Sequence, residues 1–240
     1  MQLKAVKTPI FKLGENLTKF IKRSVALLDD KSILVVTSKI IALSQKRVVD
    51  PKAVDWDRLI RQESQWAIMT KYCYLTLKDN LIAPNAGIDR SNARGKWILW
   101  PQDSFRVAEK LRKTLSRYYK IKNLGILITD SRTSPLRKGI TGVALAYAGF
   151  KGLRNYIGRK DIFGRRLEMS QTNIADSLAA AAVLLMGEAA EQTPLAVITG
   201  APVKFAKRIN KKELSINIKD DIYRPLFDNL VSTIKRGSEK

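Results

Sequence analysis

Asp89 and Asp130 are the residues of this sequence best placed to do chemistry. Each stands among small polar residues directly after a short apolar run that reads as a strand. The chain has 44 basic and 22 acidic residues, so carboxylates in such places call for an explanation. Two of them brought together would hold a hard divalent cation, and nearby cations would hold phosphates. The alternative is that each Asp only accepts backbone N–H groups of its own turn, and the sequence leaves both readings open.

The sequence contains no histidine and only one cysteine, Cys73. Histidine acid/base chemistry, Ser-His-Asp relays and zinc sites built on His or several Cys are therefore excluded. Catalysis must use carboxylates, lysine, arginine, tyrosine, hydroxyls or a metal bound through oxygen. A lone thiol forms no intrachain disulfide and suits a reducing compartment, so we expect a cytoplasmic protein.

The formal net charge of +22 allows two functional readings. One is binding to nucleic acid or to a membrane surface, and the other is a phosphorylated substrate on a lysine-rich scaffold. The charges are spread along the chain, and no aromatic residues interleave with the basic runs as a stacking platform requires. No apolar run is long enough to span a bilayer, so we expect no membrane partner. Nucleic acid is the less favoured partner, although the charge does not exclude it.

The predicted strands and helices around the two carboxylates follow one another in no regular order. The 240 residues suit one catalytic unit, 1–240, which could divide into two lobes, with a basic mobile segment at 204–220. Helical periodicity or capping predicts helices at 14–28, 56–68, 104–118, 173–186 and 221–235. Apolar runs predict strands at 33–36, 74–78, 81–83, 124–129 and 194–199, while 141–150 could be strand or tight helix. The order lacks regular βαβ alternation, which favours an α+β fold with mixed or antiparallel sheets and packed helices.

Several ordered motifs together resemble one known family. They are ILVVTSK at 33–39, PNAGID at 84–89 with Ser91-Asn92, ITDS at 128–131, YIGRKDIFGR at 156–165, Ala175-Asp176 and LMGE at 185–188. This set resembles the coenzyme F420-0:L-glutamate ligases, the γ-glutamyl ligases of deazaflavin biosynthesis, over about residues 8–199. The chain is thereby identified as a divergent member of that family.

The resemblance implies an activity and an assembly. Such enzymes use GTP to phosphorylate a substrate carboxylate and let the amine of L-glutamate displace the phosphate. They require a divalent metal, Mg²⁺ or Mn²⁺, benefit from K⁺, and form intertwined homodimers of α+β subunits. The sequence does not decide between GTP and ATP, or between one added glutamate and several.

The resemblance also assigns roles to residues. Asp89 and Asp130 match the metal-binding aspartates, and Ser131 matches a hydroxyl that contacts metal or nucleotide. Asp130 and Arg137 are the residues assigned to catalysis. The nucleotide contacts fall on Thr8, Pro9, Ile10, Phe11, Ser38, Lys39 and Asn92.

Two departures from the family pattern put the acceptor in question. Leu43 stands where family members carry a lysine, and residues 132–134 replace an aromatic and glycine pattern after the metal aspartate. Because the segment 132–134 directly follows the metal aspartate, we expect its side chains to face the substrate. Its changed sequence predicts an acceptor other than the usual deazaflavin, such as a folate. Two alternatives stay open: a nucleotide-binding relative without ligase activity, and a basic nucleic-acid-binding protein.

Overall fold

The structure is a computed structural model that describes residues 1–227. The strands are β1 (Gln2–Val6), β2 (Ser32–Thr37), β3 (Val48–Val49), β4 (Trp66–Met69), β5 (Tyr74–Lys78), β6 (Leu81–Pro84), β7 (Trp97–Ile98), β8 (Leu124–Thr133), β9 (Ile140–Ala148), β10 (Leu153–Asn155), β11 (Gln171–Asn173) and β12 (Leu195–Thr199). The helices are α1 (Leu17–Ser24), α2 (Ser38–Ser44), α3 (Trp56–Glu63), α4 (Ser104–Tyr119) and α5 (Ile174–Met186). Most of the helix predicted for 221–235 lies outside the described residues.

A five-stranded sheet forms the centre of the molecule. Its strand order is β1-β12-β2-β8-β9, and every pairing is antiparallel except that of β2 with β8. The central strand β2 reads SILVVT and is buried along nearly its whole length. Such a continuous β-branched run is what a strand covered on both faces requires. The predicted α+β fold with a mixed sheet is confirmed, and most of the region 141–150 belongs to strand β9.

Helices cover both faces of this sheet. Phe20 of α1, Ile41 of α2 and Leu115 of α4 pack in one hydrophobic cluster on the first face. Leu178 and Ala182 of α5 pack in the cluster on the second face. Within residues 1–227, none of these helices is both long and apolar enough to cross a bilayer.

The basic segment 204–220 lies against the second face. Phe205, Ile209 and Leu214 are partly buried against the α5 cluster. Glu213 accepts hydrogen bonds of 2.7 Å from the Tyr147 hydroxyl and from the Gly152 N–H. The segment therefore has an apolar side anchored on the core, while its mobility stays a prediction.

A smaller antiparallel sheet, β4-β5-β6, packs with α3 around a separate hydrophobic cluster. Asp79 and Asn80 connect β5 to β6, as predicted, and both have a positive φ, 50° and 61°. Two residues with positive φ form the tight turn whose twist matches a hairpin.

The helix predicted for 56–68 is too long. The observed helix α3 ends at Glu63, and Trp66–Met69 instead pairs with Tyr74–Lys78 as strand β4. Ser64 has an extended backbone, and the Trp66 side chain is buried. Backbone pairing with β5 thus replaces helical hydrogen bonds beyond Glu63. The predicted helix at 14–28 is likewise shorter, because α1 covers only Leu17–Ser24.

Glu63 links the small sheet to the chain that follows α2. One oxygen of its carboxylate lies 2.6 Å from a guanidinium nitrogen of Arg47 and 2.6 Å from the Lys78 ammonium. Only 16% of the Glu63 side chain is exposed. Burial raises the pKa of Glu63, but the two cations outweigh burial, so that the pKa lies below its ordinary value of 4.5. The three residues therefore stabilise the fold while Glu63 is ionised.

We predict that Glu63→Gln lowers the free energy of unfolding by about 2 kcal/mol at pH 7, because it leaves two mostly buried cations without an anion. The wild-type contribution should be complete above the unfolded-state pKa and disappear as the pH falls through the lower folded-state pKa. Urea unfolding at several pH values measures both effects. Glu168→Gln, at an exposed position, is the matched control. A Glu63→Gln variant as stable as the control would show that the cluster contributes nothing.

Candidate active site

The parallel pairing of β2 with β8 brings two distant segments to one edge of the sheet. Thr37 lies opposite Thr129 in the register. Lys39, two residues after Thr37, and Asp130, next to Thr129, therefore lie at the same edge. Parallel neighbouring strands present their carboxyl ends together, which is where α/β sheets commonly bind ligands.

Asp89 reaches the same edge and pairs with Lys39. The Lys39 ammonium lies 2.6 Å from one carboxylate oxygen of Asp89 and also donates to the Ser91 hydroxyl at 3.0 Å. The other Asp89 oxygen accepts the Ser91 N–H at 2.6 Å. Burial raises the pKa of Asp89, but the hydrogen bond and charge of Lys39, with help from Ser91, keep it below the ordinary 3.8. Asp89 is thus an anion already paired with a cation.

The Asp130 carboxyl is held by two donors. The Trp100 indole N–H donates to one oxygen, and the Ser131 N–H donates to the other at 2.9 Å. Burial raises the pKa of Asp130 to about 7, the two hydrogen bonds oppose that change, and the nearby charge of Asp89 adds to it. Two carboxylates are therefore close enough to repel each other, which a bound cation would relieve.

Gly87 allows the Trp100 indole to lie in this position. A Cβ on Gly87 would meet the indole nitrogen at 2.0 Å, so no larger side chain fits there. Gly87 also has a φ of 71°, a conformation that residues with a side chain rarely adopt. The glycine of the PNAGID motif thus sets the indole N–H against Asp130.

Glu188 supplies a third carboxylate near this edge. It follows α5, and its side chain accepts a weak hydrogen bond of 3.5 Å from the Ser131 hydroxyl. Partial burial raises the pKa of Glu188. The Ser131 hydrogen bond and the charge of Lys39 lower it, while the charge of Asp89 raises it. Five residues therefore form one electrostatic cluster, here called the charged cluster: Lys39, Asp89, Asp130, Ser131 and Glu188.

A cleft of about 400 Å³, here called the main cleft, opens beside the charged cluster. Its walls come from residues 8–11 before α1, from α2, from the loop after Asp89, and from the segment after α5. The lining residues are Thr8, Pro9, Ile10, Phe11, Thr37, Lys39, Ile40, Leu43, Asn92, Arg94 and residues 186–194. The Asn92 side chain donates to the Ala189 carbonyl at 2.9 Å and so connects two of these walls.

Most of the predicted nucleotide contacts meet in the main cleft. Thr8, Pro9, Ile10, Phe11, Lys39 and Asn92 all line it. Ser38 does not, because its side chain is buried at the start of α2. Leu43 lies in the same wall, at the position where the family pattern has a lysine.

Two other predicted positions lie apart from the main cleft. Arg137 is exposed in the hairpin loop between β8 and β9 and is absent from the cleft walls. A guanidinium nitrogen of Arg132 lies 3.8 Å from the Asp176 carboxylate of α5. One residue of the segment 132–134 therefore forms an ion pair within its own chain. Within one chain, neither arginine joins the charged cluster.

Sequence reasoning missed Trp100 and Glu188. No pattern around Trp100 marks it, because its role depends on the close approach of Gly87 in three dimensions. Glu188 stands in the LMGE motif, which contributed to the family resemblance but indicated no role for the glutamate. Its part in the site appears only once α5 ends beside Ser131.

The charged cluster offers hard oxygen donors but no complete metal cage. Asp89, Asp130, Ser131 and Glu188 supply carboxylate and hydroxyl oxygens, the donors that Mg²⁺ and Mn²⁺ take. Among residues 1–227, no group of three or more His, Cys, Asp or Glu side chains is gathered tightly enough to hold a metal ion. Magnesium commonly takes only one or two carboxylates from a protein and its other ligands from water and substrate phosphates.

Comparison with known proteins gives one consistent result. The family model described as F420-0:Gamma-glutamyl ligase matches residues 5–200. A coenzyme F420:L-glutamate ligase of Archaeoglobus fulgidus is 31% identical over 236 residues, covering 90% of this chain and 93% of that protein. A protein of the same name from Methanocaldococcus jannaschii is 32% identical over 197 residues, covering 81% of this chain and 77% of its own. The chain therefore belongs to the F420-0:gamma-glutamyl ligase family of amide-bond-forming ligases, as its motifs predicted.

Proposed function

We propose that this protein is a metal-dependent, nucleotide-driven γ-glutamyl ligase that joins L-glutamate to a carboxylate acceptor through an acyl phosphate. The observation that carries the proposal is the meeting of Lys39, Asp89 and Asp130 beside the main cleft. A site that combines a lysine, two aspartates and an adjoining cleft matches the needs of phosphoryl transfer, which rests on positioning and on charge stabilisation. The names of the relatives supply glutamate and the deazaflavin acceptor as the first candidates.

The main cleft is the proposed nucleotide site. Its volume of about 400 Å³ lies in the range of small-molecule sites. Ile10 is 58% exposed in its wall and offers an apolar surface for a base, while Lys39 and Arg94 offer positive charge for phosphates. GTP is the proposed co-substrate, with ATP as the alternative.

Asp89, Asp130 and Ser131 are the proposed ligands of Mg²⁺ or Mn²⁺, with Glu188 near enough to assist through its contact with Ser131. Magnesium commonly uses one or two carboxylates together with substrate phosphates. When bound, the ion would neutralise charge on the transferring phosphoryl group. Lys39 now holds Asp89 and would be free to turn to the phosphates. Potassium remains a proposal from the family resemblance alone.

The proposed reaction has two balanced steps. An oxygen of the acceptor carboxylate attacks the γ-phosphorus, and the bond from that phosphorus to the bridging oxygen breaks. The nucleoside diphosphate departs, and the acceptor has become an acyl phosphate. The amine of glutamate then attacks the acyl carbon, loses a proton and expels inorganic phosphate. The Lys39 ammonium would stabilise the charge of the transferring group. Arg137 stays a predicted catalytic residue, which a partner chain would have to bring closer.

We also propose that the protein is a cytoplasmic homodimer. Four large apolar side chains are at least 87% exposed: Leu136 in the β8–β9 hairpin loop, Ile162, Phe163, and Leu184 on α5. Burial of these side chains against a second copy of the chain would remove apolar surface from water, which favours association. The single cysteine, Cys73, suits a reducing compartment.

We predict that nucleotide and metal strengthen each other's binding by at least about tenfold, because the protein alone supplies an incomplete ligand set. Electron paramagnetic resonance of free Mn²⁺, with and without a non-hydrolysable GTP analogue, measures this coupling. Asp89→Asn and Asp130→Asn should remove it. Asp103→Asn, at an exposed Asp before α4, is the matched control. Tight Mn²⁺ binding without nucleotide that survives both variants would contradict the assignment.

Ligase activity is tested by phosphate release with L-glutamate, Mg²⁺ or Mn²⁺, GTP or ATP, and either the deazaflavin F420-0 or a folate. We expect release that requires an acceptor, together with a product one glutamate heavier by mass spectrometry. Asp130→Asn should lower the rate on the order of 100-fold, while thermal unfolding shows an intact fold. Nucleotide binding without phosphate release for any acceptor would favour the alternative function, that of a nucleotide-binding relative without ligase activity.

A further inference from the structure

A second cleft is lined in part by Ile88 and Arg90, the two residues on either side of Asp89 in the chain. Its volume is about 350 Å³, and it opens in the small sheet rather than in the main cleft. We call it the aromatic cleft. It is lined by Trp56, Met69, Lys71, Tyr72, Cys73, Tyr74, Asn85, Ile88 and Arg90.

The aromatic cleft combines ring surfaces with positive charge. Trp56, Tyr72 and Tyr74 supply three aromatic side chains, and Lys71 and Arg90 supply two cations, whereas the lining includes no carboxylate. Tyr72 is 87% exposed, so its ring is available at the surface. Aromatic faces stack on planar rings, and the cations attract an anionic substituent.

Arg90 is held in place without any ligand. Its guanidinium lies 4.1 Å from the ring centre of Trp56 and 5.0 Å from that of Trp97. The two indoles themselves pack edge to face, with centres 4.5 Å apart. Stacking of this kind fixes the guanidinium plane while leaving its N–H groups able to bind an anion.

The chain segment from Ile88 to Asn92 separates the two clefts. Arg90 lines the aromatic cleft, Asp89 contacts Lys39 of the charged cluster, and Asn92 lines the main cleft. The Cα atoms of Arg90 and Asn92 can be no more than about 7 Å apart. The two clefts therefore share one short chain segment but no lining residue, and a ligand in the aromatic cleft leaves the nucleotide site free.

We propose that the aromatic cleft binds the ring system of the acceptor, a planar aromatic group that carries an anionic substituent. The assignment of the ligand as the acceptor rests on the proposed ligase function. F420-0 and folate share this chemistry, because each joins a planar ring to a chain with an anionic group besides the reacting carboxylate, and the assay distinguishes them. Lys71 and Arg90 would hold the anionic substituent, and the Trp56 and Tyr72 rings would hold the planar group.

The first test compares acceptor with nucleotide affinity. Lys71→Gln and Arg90→Gln should each raise the KM for F420-0 or for folate about tenfold, because each removes one ionic contact. Binding of a fluorescent GTP analogue should not change. Lys52→Gln, an exposed lysine outside the cleft, is the control. An unchanged acceptor KM, or an equal loss of nucleotide affinity, would overturn the proposal.

The second test needs no ligase activity. Cys73 is the only cysteine of the chain and lines the aromatic cleft, so a bound ring should slow its alkylation by iodoacetamide, followed by mass spectrometry. We expect at least about threefold protection by F420-0 or folate, and less in Arg90→Gln. Protection without any phosphate release would keep the cleft assignment and defeat the ligase proposal. Phosphate release without protection of Cys73 by either ring would keep the ligase proposal and overturn the cleft assignment.

Discussion

The parallel pairing of β2 with β8 determines where the charged groups of the site lie. It sets Thr37 opposite Thr129, and so places Lys39 and Asp130 at one edge although they are far apart in sequence. The other pairings of the central sheet are antiparallel, which makes this edge distinct within the fold. The small sheet then delivers Asp89 to the same edge through the chain that follows β6. One backbone register therefore organises both the sheet and the candidate site.

The geometry has an electrostatic consequence. Burial and the charge of Asp89 raise the pKa of Asp130, while the Ser131 N–H, the Trp100 indole N–H and the charge of Lys39 lower it. Such an arrangement attracts positive charge, and the Lys39 ammonium lies 2.6 Å from Asp89. Gly87 contributes indirectly, since only a residue without a side chain lets the indole approach.

Much of this arrangement could be predicted from the sequence, and the failures have physical reasons. The strands and the two aspartates were predictable because apolar runs and turn residues are local signals. The helix beyond Glu63 was predicted wrongly because pairing of Trp66–Met69 with β5 is a tertiary effect. Trp100 was missed because its role depends on contact with Gly87. Arg137 lies apart from the cluster because the hairpin between β8 and β9 carries it outward, which no motif reveals.

We propose that the acceptor carboxylate is phosphorylated before glutamate attacks. An acceptor labelled with ¹⁸O in that carboxylate tests this order of steps, with mass spectrometry of the released phosphate. We expect each phosphate to carry one ¹⁸O atom taken from the carboxylate, since the second step breaks the bond between the acyl carbon and that oxygen. Phosphate free of ¹⁸O, formed together with the amide, would rule out an acyl phosphate.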